Sequence, residues 1–386
     1  MRKFWEIFFI SLKLGCTSFG GPTAHLGYFQ NEYVQKRKWL SDDDYSQLVA
    51  LSQFLPGPAS SQVGMGIGLL RGGIFGSIVA FLGFTMPSVL LLMAFAYYSS
   101  YTGLDMGWTH GLKLVAVAIV AQAILDMSKK LIPSIRHFII ASLAFVIVLF
   151  WVHPLAQVTT IIVASLIGYR FFKKIHQRDD PKEMVRPISK TTGGYFLTLF
   201  VILLIGLPMA SPLIQNEWFT IIEKFYLSGA LVFGGGHVVL PLLETQFVQS
   251  GLMSSSDFLA GYGMTQAVPG PLFTFASYIG MVIAGVPGAM IATFAIFLPA
   301  FLLLVGAMPF WLALNRFAGL RGAMAGANAA VVGLLAAAFI QPIVIQSIQN
   351  GLDIVNAVFF LWYLMRWKMP PYLLVIIGVI VGIVFY

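Results

Sequence analysis

Two pairs of short Gly/Pro runs hold the chemistry this chain can do. Phe19-Gly20-Gly21-Pro22 and Pro56-Gly57-Pro58 in the first half, and Phe233-Gly234-Gly235-Gly236 and Pro269-Gly270-Pro271 in the second, each cut an apolar run near its middle. A break of this kind ends one helix and begins another. The new helix N-terminus presents unsatisfied N–H groups and roughly half a positive charge, which makes it an anion site. Glycine there lets the backbone approach the anion closely. Thr23, Ser60, Ser61 and Thr274 stand near the starts of the second arms and could add hydroxyl donors. The blander alternative is that Gly and Pro serve only a kink or close helix packing. That alternative loses ground because the breaks come as matching pairs.

Other polar residues are few enough to take singly. Lys13, Lys113 and Lys224 lie inside apolar segments, where a charge is costly and a functional candidate by default. Lys113 and Lys224 are close to expected outer ends and read as snorkelling or, for Lys224, pairing with Glu223. Lys13 precedes the first break and either faces the anion or pairs with Glu6. His25 and His237 follow the two Phe-Gly-Gly breaks, as anion donors, proton sensors or satisfied packing residues. Gln53 and Gln266 each stand three residues before a Pro-Gly-Pro and are assigned to the site. Asn328 reads as a hydrogen-bonding residue between helices, and Glu32, Glu244 and Asp126 as interfacial or structural charges.

These residues are carried on elements that only a membrane explains. Of 386 residues, 58% are hydrophobic and 10% charged, a balance outside the range of soluble single-core proteins. Four segments, 73–99, 108–128, 288–313 and 320–340, are long enough to cross a hydrocarbon core of about 30 Å. Shorter runs at 137–151, 155–172, 194–212, 353–366 and 370–386 read as further spans, tilted or in locally thinned bilayer. The arms beside the four breaks reach only about 20 to 25 Å at 1.5 Å per residue. The segments 4–37, 44–71, 219–250 and 257–284 are therefore expected to be re-entrant helical hairpins. Met1-Arg2-Lys3 before an apolar run resembles a signal peptide, but Glu6 and Lys13 interrupt that run. Cys16 is the single cysteine, so no disulfide or thiolate metal cluster is expected.

Charge placement sets the orientation. With the N-terminus in the cytoplasm and all four hairpins re-entrant, 20 of the 23 Lys and Arg residues fall on the cytoplasmic side. The other three are Lys13, Lys113 and Lys224. Were the first hairpins true spans, Lys36-Arg37-Lys38 would face outside, against the positive-inside bias. This topology puts the C-terminus outside, in a bacterial inner membrane.

Positions about 212 to 214 apart carry the same punctuation. Phe19-Gly20-Gly21 matches Phe233-Gly234-Gly235, Gln53 with Pro56-Gly57-Pro58 matches Gln266 with Pro269-Gly270-Pro271, Gly76 matches Gly288 and Pro87 matches Pro299. A first unit, 1–172, is followed by a basic connector and linking helix, 173–216, and a second unit, 217–386. The linking helix carries the chain outward, so the second unit is inverted. The fold class expected is an all-α polytopic membrane protein with two inverted repeats and paired re-entrant hairpins, an arrangement suited to alternating access.

At the residues just quoted the sequence resembles the chromate ion transporter superfamily in its long, two-domain form. The resemblance covers nearly the whole chain and departs from the repeat's symmetry where Gly236 stands for Pro22 and where His25 and His237 sit at a different offset. It implies chromate efflux and resistance, with sulfate as the look-alike dianion. A homodimer is a possibility the sequence leaves open. No phosphate-binding loop, nucleotide motif, metal cluster or catalytic Ser/His/Asp set accompanies these features, so neither cofactor, nucleic acid nor enzymatic activity is expected. Moving a dianion out of an inside-negative cell is downhill by about 4.6 kcal/mol per 100 mV, twice the value for one charge. A sulfate importer or an anion channel of the same architecture remain the rivals.

Overall fold

The computed structural model describes residues 1–102, 107–151, 153–172, 188–367 and 370–386. Most of the basic connector, the middle of the expected outer loop near 100–107, Val152 and Lys368 lie outside the described residues. Among the described residues the secondary structure is helical, joined by short breaks and turns, and no strand occurs.

Each break ends a helix whose partner arm folds back on it. α1 (Arg2–Thr17) stops at Ser18, and α2 (Gly21–Phe29) continues into a π-helical turn, Gln30–Lys36. The two arms meet through Ser11 and Tyr33, whose hydroxyls are 3.1 Å apart, and through Lys13 and Glu32. α3 (Asp42–Phe54) begins on Ser41, whose side chain accepts the Asp44 N–H, and three acidic residues in its first turn suit the helix dipole. After Leu55–Pro58 the chain enters α4 (Ala59–Thr102), which turns sharply at Gly73. At φ +67° that residue adopts a backbone conformation L side chains rarely take. The fold-back brings Gly68 against Gly76, backbone to backbone. The rest of the unit is α5 (Gly107–Leu131), α6 (Ile135–Phe150) and α7 (Pro154–Phe171).

After α8 (Lys190–Ile214) the pattern recurs. α9 (Glu217–Ala230) folds against α10 (Val239–Leu243) and a second π-helical turn, Glu244–Val248, where the Phe225 and Phe247 rings lie 4.3 Å apart. α11 (Ser255–Thr265) meets α12 (Phe275–Ala307) through the Tyr278 hydroxyl on the Asp257 carbonyl, at 3.1 Å. α12 turns at Gly285, bringing Gly280 against Gly288 as Gly68 meets Gly76. α13 (Trp311–Arg316), α14 (Ala318–Ala338), α15 (Ile345–Ser347), α16 (Gly351–Trp367) and α17 (Pro371–Phe385) complete the chain. Positive φ falls at Gly20 and Gly234, Gly21 and Gly235, Gly57 and Gly270, Gly73 and Gly285, and Lys38 and Gly251, all at the repeat's spacing.

Small residues let the spanning helices touch. Gly168 on α7 lies against Gly322 and Gly326 on α14, Ala141 on α6 against Gly333, and Gly111 on α5 against Gly378 on α17. Such close approach drives association where water supplies no hydrophobic force between helices. The outer surface is a wall of exposed apolar side chains, among them Phe138, Leu166, Tyr195, Ile202, Phe294 and Ile380. With five helices among the described residues long and apolar enough to cross a bilayer, the chain is an all-α, multi-pass membrane protein. The expected span at 194–212 is a 25-residue helix, Lys190–Ile214. The expected span 288–313 is α-helical only to Ala307 and passes through a 3₁₀ turn, Met308–Phe310, before α13.

Candidate functional site

The two breaks of one unit are bonded to the two breaks of the other. The Gly57 N–H donates to the Val232 carbonyl at 2.8 Å, and the Gly270 N–H donates to the Ser18 carbonyl at 2.9 Å. Gly57 and Gly270 are equivalent positions of the two units, and so are Ser18 and Val232. Each Pro-Gly-Pro also presses on the spanning helix of the opposite unit, Gly57 on Ala300 of α12 and Gly270 on Ser88 of α4. The Ser88 hydroxyl donates to the Pro269 carbonyl. Gln62 donates to the Pro56 carbonyl at 3.0 Å and reaches the Ala300 carbonyl at 3.5 Å.

His25 closes the remaining gap. Its Nε2–H donates to the Ser18 carbonyl at 3.1 Å, and its Nδ1 lies 3.3 Å from the Ser60 hydroxyl at the start of α4. Ser18 thereby spends both carbonyl lone pairs, one on His25 and one on Gly270. The four breaks form one connected chain: third to second through Gly57, second to first through His25, first to fourth through Gly270. His237, in the 3₁₀ turn after the third break, is held differently, with Nδ1 at 2.8 Å from the Tyr262 hydroxyl on α11.

Five buried polar atoms along this chain have no hydrogen-bond partner: Ser18 Oγ, Ser61 Oγ, Gln62 Oε1, Gln266 Nε2 and Asn328 Oδ1. Buried polar groups are nearly always paired; six further unpaired atoms, on Ser52, Ser77, Thr85, Thr160, Ser255 and Ser347, fall outside this set, and of the five at the breaks Ser18, Ser61 and Gln266 offer donors. Asn328, on α14, faces Gly234. Sequence reasoning set Asn328 aside as a bridge between helices, and the fold instead leaves its oxygen unpaired beside the third break.

The expected site residues separate into groups. Gly20, Gly21, Pro22, Thr23, Gly234 and Gly235 lie at least partly open to the surface, and Pro22 sits in the first turn of α2, where its missing N–H costs nothing. Pro58, Gly57, Ser60, Ser61, Pro269 and Pro271 are enclosed, with Pro56 and Gly270 partly so. The Thr274 hydroxyl is turned back onto the Pro271 carbonyl at 2.7 Å. Gln53 is exposed while its mate Gln266 is buried. Gly236 packs against Leu272, and both second-unit arms open with a 3₁₀ turn, Gly236–Val238 and Leu272–Thr274, where α-helix was expected.

The membrane lysines are occupied elsewhere. Lys13 is 3.4 Å from Glu32, whose carboxylate also meets Arg37 at 2.9 Å and Lys36 at 3.8 Å. Glu6, the partner expected for Lys13, instead lies near Arg37 and Arg71. The Lys224 ammonium donates to the Gln246 carbonyl at 2.9 Å rather than pairing with Glu223. A further buried cluster escaped sequence reasoning because its members are far apart in the chain. Asp353 at the start of α16 accepts from His110 at 2.8 Å, from the Gln349 and Asn350 N–H groups and from the Tyr386 hydroxyl. It ties α5 to α16 and α17, away from the breaks. No grouping of metal-ligating side chains occurs among the described residues.

Fold and site together define a multi-pass membrane protein organised around paired helix breaks. A sequence profile described as chromate transporter matches residues 5–169 and again 219–383, and the chain belongs to that family. Among relatives, a protein of Synechococcus elongatus named "Probable chromate transport protein" is 27% identical over 97% of this chain and 94% of its own length. A chromate transport protein of Cupriavidus metallidurans is 25% identical over 85% of this chain and 80% of its own. An uncharacterized transporter of Methanocaldococcus jannaschii is 27% identical over 87% of this chain and 83% of its own. No solved structure matches.

Proposed function

We propose that this protein is a secondary transporter that exports chromate across the inner membrane and thereby confers chromate resistance. The observation that carries the reading is the bonded chain of four breaks with unpartnered buried polar atoms along it. Open backbone N–H groups at α2, the Ser61 hydroxyl and the Gln266 amide are donors of the kind a tetrahedral dianion accepts. The substrate itself is inferred from the family and from the names of the relatives. Export is favoured because it needs no fuel beyond the membrane potential. The proposed activity moves the anion without breaking a bond, so no catalytic residue is assigned.

In this reading residues 1–172 and 217–386 are inverted repeats, each contributing two re-entrant hairpins, with 173–216 as connector and linking helix. The N-terminus is cytoplasmic and the C-terminus outside. The matched positive-φ positions and the reciprocal Gly57 and Gly270 bonds support the pseudo-symmetry, and the lysine and arginine placement supports the orientation. A rocking of one pair of hairpins against the other would then expose the same breaks to either side. The substrate-contacting set comprises the open break glycines with the Ser61 hydroxyl and the Gln266 amide, and His25 and His237 act as positioning residues.

Uptake of radiolabelled chromate and sulfate into everted vesicles tests the function, with the membrane potential and the pH gradient collapsed separately. Chromate accumulation that falls with the potential is the expected result. Vesicles that accumulate sulfate but ignore chromate would move the assignment to a sulfate transporter, since the two dianions are alike in shape and charge. Vesicles indifferent to both would remove the reading altogether. Single cysteines near Lys38 and Ser254, introduced after replacing Cys16, test the topology. Labelling of Lys38→Cys from outside intact cells would overturn it.

A further inference from the structure

We propose that Glu244 is a proton-binding site and that this transporter exchanges protons for its anion, Glu244 taking a proton from the side on which the anion is discharged. The inference rests on the transport reading above. It begins from a comparison of two equivalent carboxylates. Glu32 and Glu244 stand 212 residues apart, the spacing of His25 and His237, each in the π-helical turn of its hairpin's second arm and each 5% exposed. Glu32 is surrounded by Lys13, Lys36 and Arg37. Around Glu244, no Lys, Arg or His nitrogen among the described residues forms an ion pair. Its Oε2 receives the Gln249 amide at 2.8 Å and, at 3.5 Å, the Thr245 hydroxyl.

The neighbouring elements supply no counter-ion either. On α9, Lys224 has its ammonium on the Gln246 carbonyl, with Glu223 next to it in sequence. On α11 the titratable groups are Asp257 and Tyr262, and the Tyr262 hydroxyl is bonded to His237. α10 contributes no titratable side chain, and α7 reaches this segment through Gln157, whose amide donates to the Thr245 hydroxyl at 2.6 Å and the Pro241 carbonyl at 3.1 Å. A carboxylate held away from water without a cation is strongly disfavoured, whereas the neutral acid is tolerated. The packed hairpin therefore holds Glu244 as the acid. Losing that proton requires water to reach it, and so requires the arm to loosen.

The position also provides a route and a movable part. Gln249, bonded to Glu244, is itself exposed, and in the proposed topology this end of the hairpin faces outside. π-helical turns inside α-helical arms recur at functional sites. In the exchange, an outside proton forms an O–H bond with the Glu244 carboxylate. After the hairpins rearrange, that bond breaks and the proton passes to cytoplasmic water, while the anion leaves chemically unchanged. Nothing is oxidised or reduced.

Two measurements on the full-length protein test this and separate its failure from that of the transport reading. In infrared spectra of detergent-purified protein at neutral pH, a protonated carboxylic C=O band is expected. The band should be absent from Glu244→Gln and retained in Glu32→Gln. In proteoliposomes carrying an internal pH dye, a chromate or sulfate gradient should drive proton counterflow. Glu244→Gln should lose that counterflow while retaining anion-for-anion exchange. The proposal is overturned if the band survives Glu244→Gln, if that variant still moves protons with the anion, or if the wild type moves anion with no proton. If the wild type moves neither anion, the transport reading fails, and with it the exchange, whatever the infrared band reports of Glu244. Should Glu244→Gln not fold, Glu244→Asp serves in its place: a shifted band and retained counterflow support the assignment, and an unshifted band refutes it.

Discussion

Gly57 is a point at which a single added methyl group would disturb the contact between the two halves of the molecule. Three effects act on Gly57→Ala. Its φ of +115° is a conformation L residues rarely adopt, a strain of about 1–3 kcal/mol. The new Cβ would lie 3.0 Å from the Ala300 Cβ and 3.3 Å from the Gln62 amide nitrogen, an overpacking of about 1–3 kcal/mol. Any shift that relieves the crowding stretches the Gly57–Val232 bond, whose loss is about 0.5–1.5 kcal/mol. Gly21→Ala is the control: its φ is +75° but nothing lies within 4 Å of its Cβ, so about 1–2 kcal/mol of strain is all it should cost. Thermal unfolding in detergent should place Gly57→Ala clearly below Gly21→Ala. Pairing Gly57→Ala with Ala300→Gly should return the steric part of that loss. If Gly57→Ala unfolds at the temperature of Gly21→Ala and Ala300→Gly restores nothing, the contact between the second break and α12 does not hold the units together.

Other outcomes follow from the same geometry. Ser61→Ala removes an unpartnered buried hydroxyl, so unfolding should change by less than about 0.5 kcal/mol while KM for chromate rises in vesicle uptake. Asp353→Ala strips a buried carboxylate from His110, two backbone N–H groups and Tyr386 and should cost about 3–5 kcal/mol in detergent unfolding. Lys13→Ala breaks a contact whose lysine side chain is 59% exposed, so less than about 1 kcal/mol should be lost, with uptake unchanged. His25→Ala unties the Ser18 carbonyl from Ser60 and should abolish uptake, while His25→Asn, able to donate to Ser18, should recover part of it.

The breaks and the repeat were legible in the sequence because Gly and Pro act locally. A Pro-Gly-Pro or Phe-Gly-Gly ends a helix whatever surrounds it, and two copies at one offset expose a duplication. The long helices were equally open, since length and apolarity are local too. What an offset cannot disclose is contact. That Gly57 and Gly270 are equivalent says nothing of whether each bonds its own unit or the other. The reciprocal bonds to Val232 and Ser18 appear only when both units are packed. Lys13 illustrates the same limit, because its partner Glu32 lies on the returning arm, at a distance in sequence set by the hairpin's length. For Asn328, a lone Asn in a Gly/Ala-rich helix suggests a bridge to a neighbouring helix, and only the placement of the third break reveals that its side-chain oxygen has no partner. The 3₁₀ opening at Gly236–Val238 follows from Gly236 replacing Pro22, which removes a residue whose fixed φ favours an α-helical start; the opening at Leu272–Thr274 follows Pro271 just as α4 follows Pro58 and has no such explanation.

The bonds between the breaks also impose an order on biosynthesis. The Ser18 carbonyl is made with the first break, but the Gly270 N–H that satisfies it is made about 250 residues later. At about 5–20 residues per second the nascent chain waits roughly 12 to 50 seconds for that partner. During the wait Ser18 has only His25, and Gly57 has no Val232 to bond. The first half must therefore wait as a provisional structure, its breaks wet or held by the insertion machinery, until the second half arrives to lock it. Mutations in the second pair of breaks should accordingly leave the first half open to degradation after synthesis is complete, when the wild-type chain is already locked.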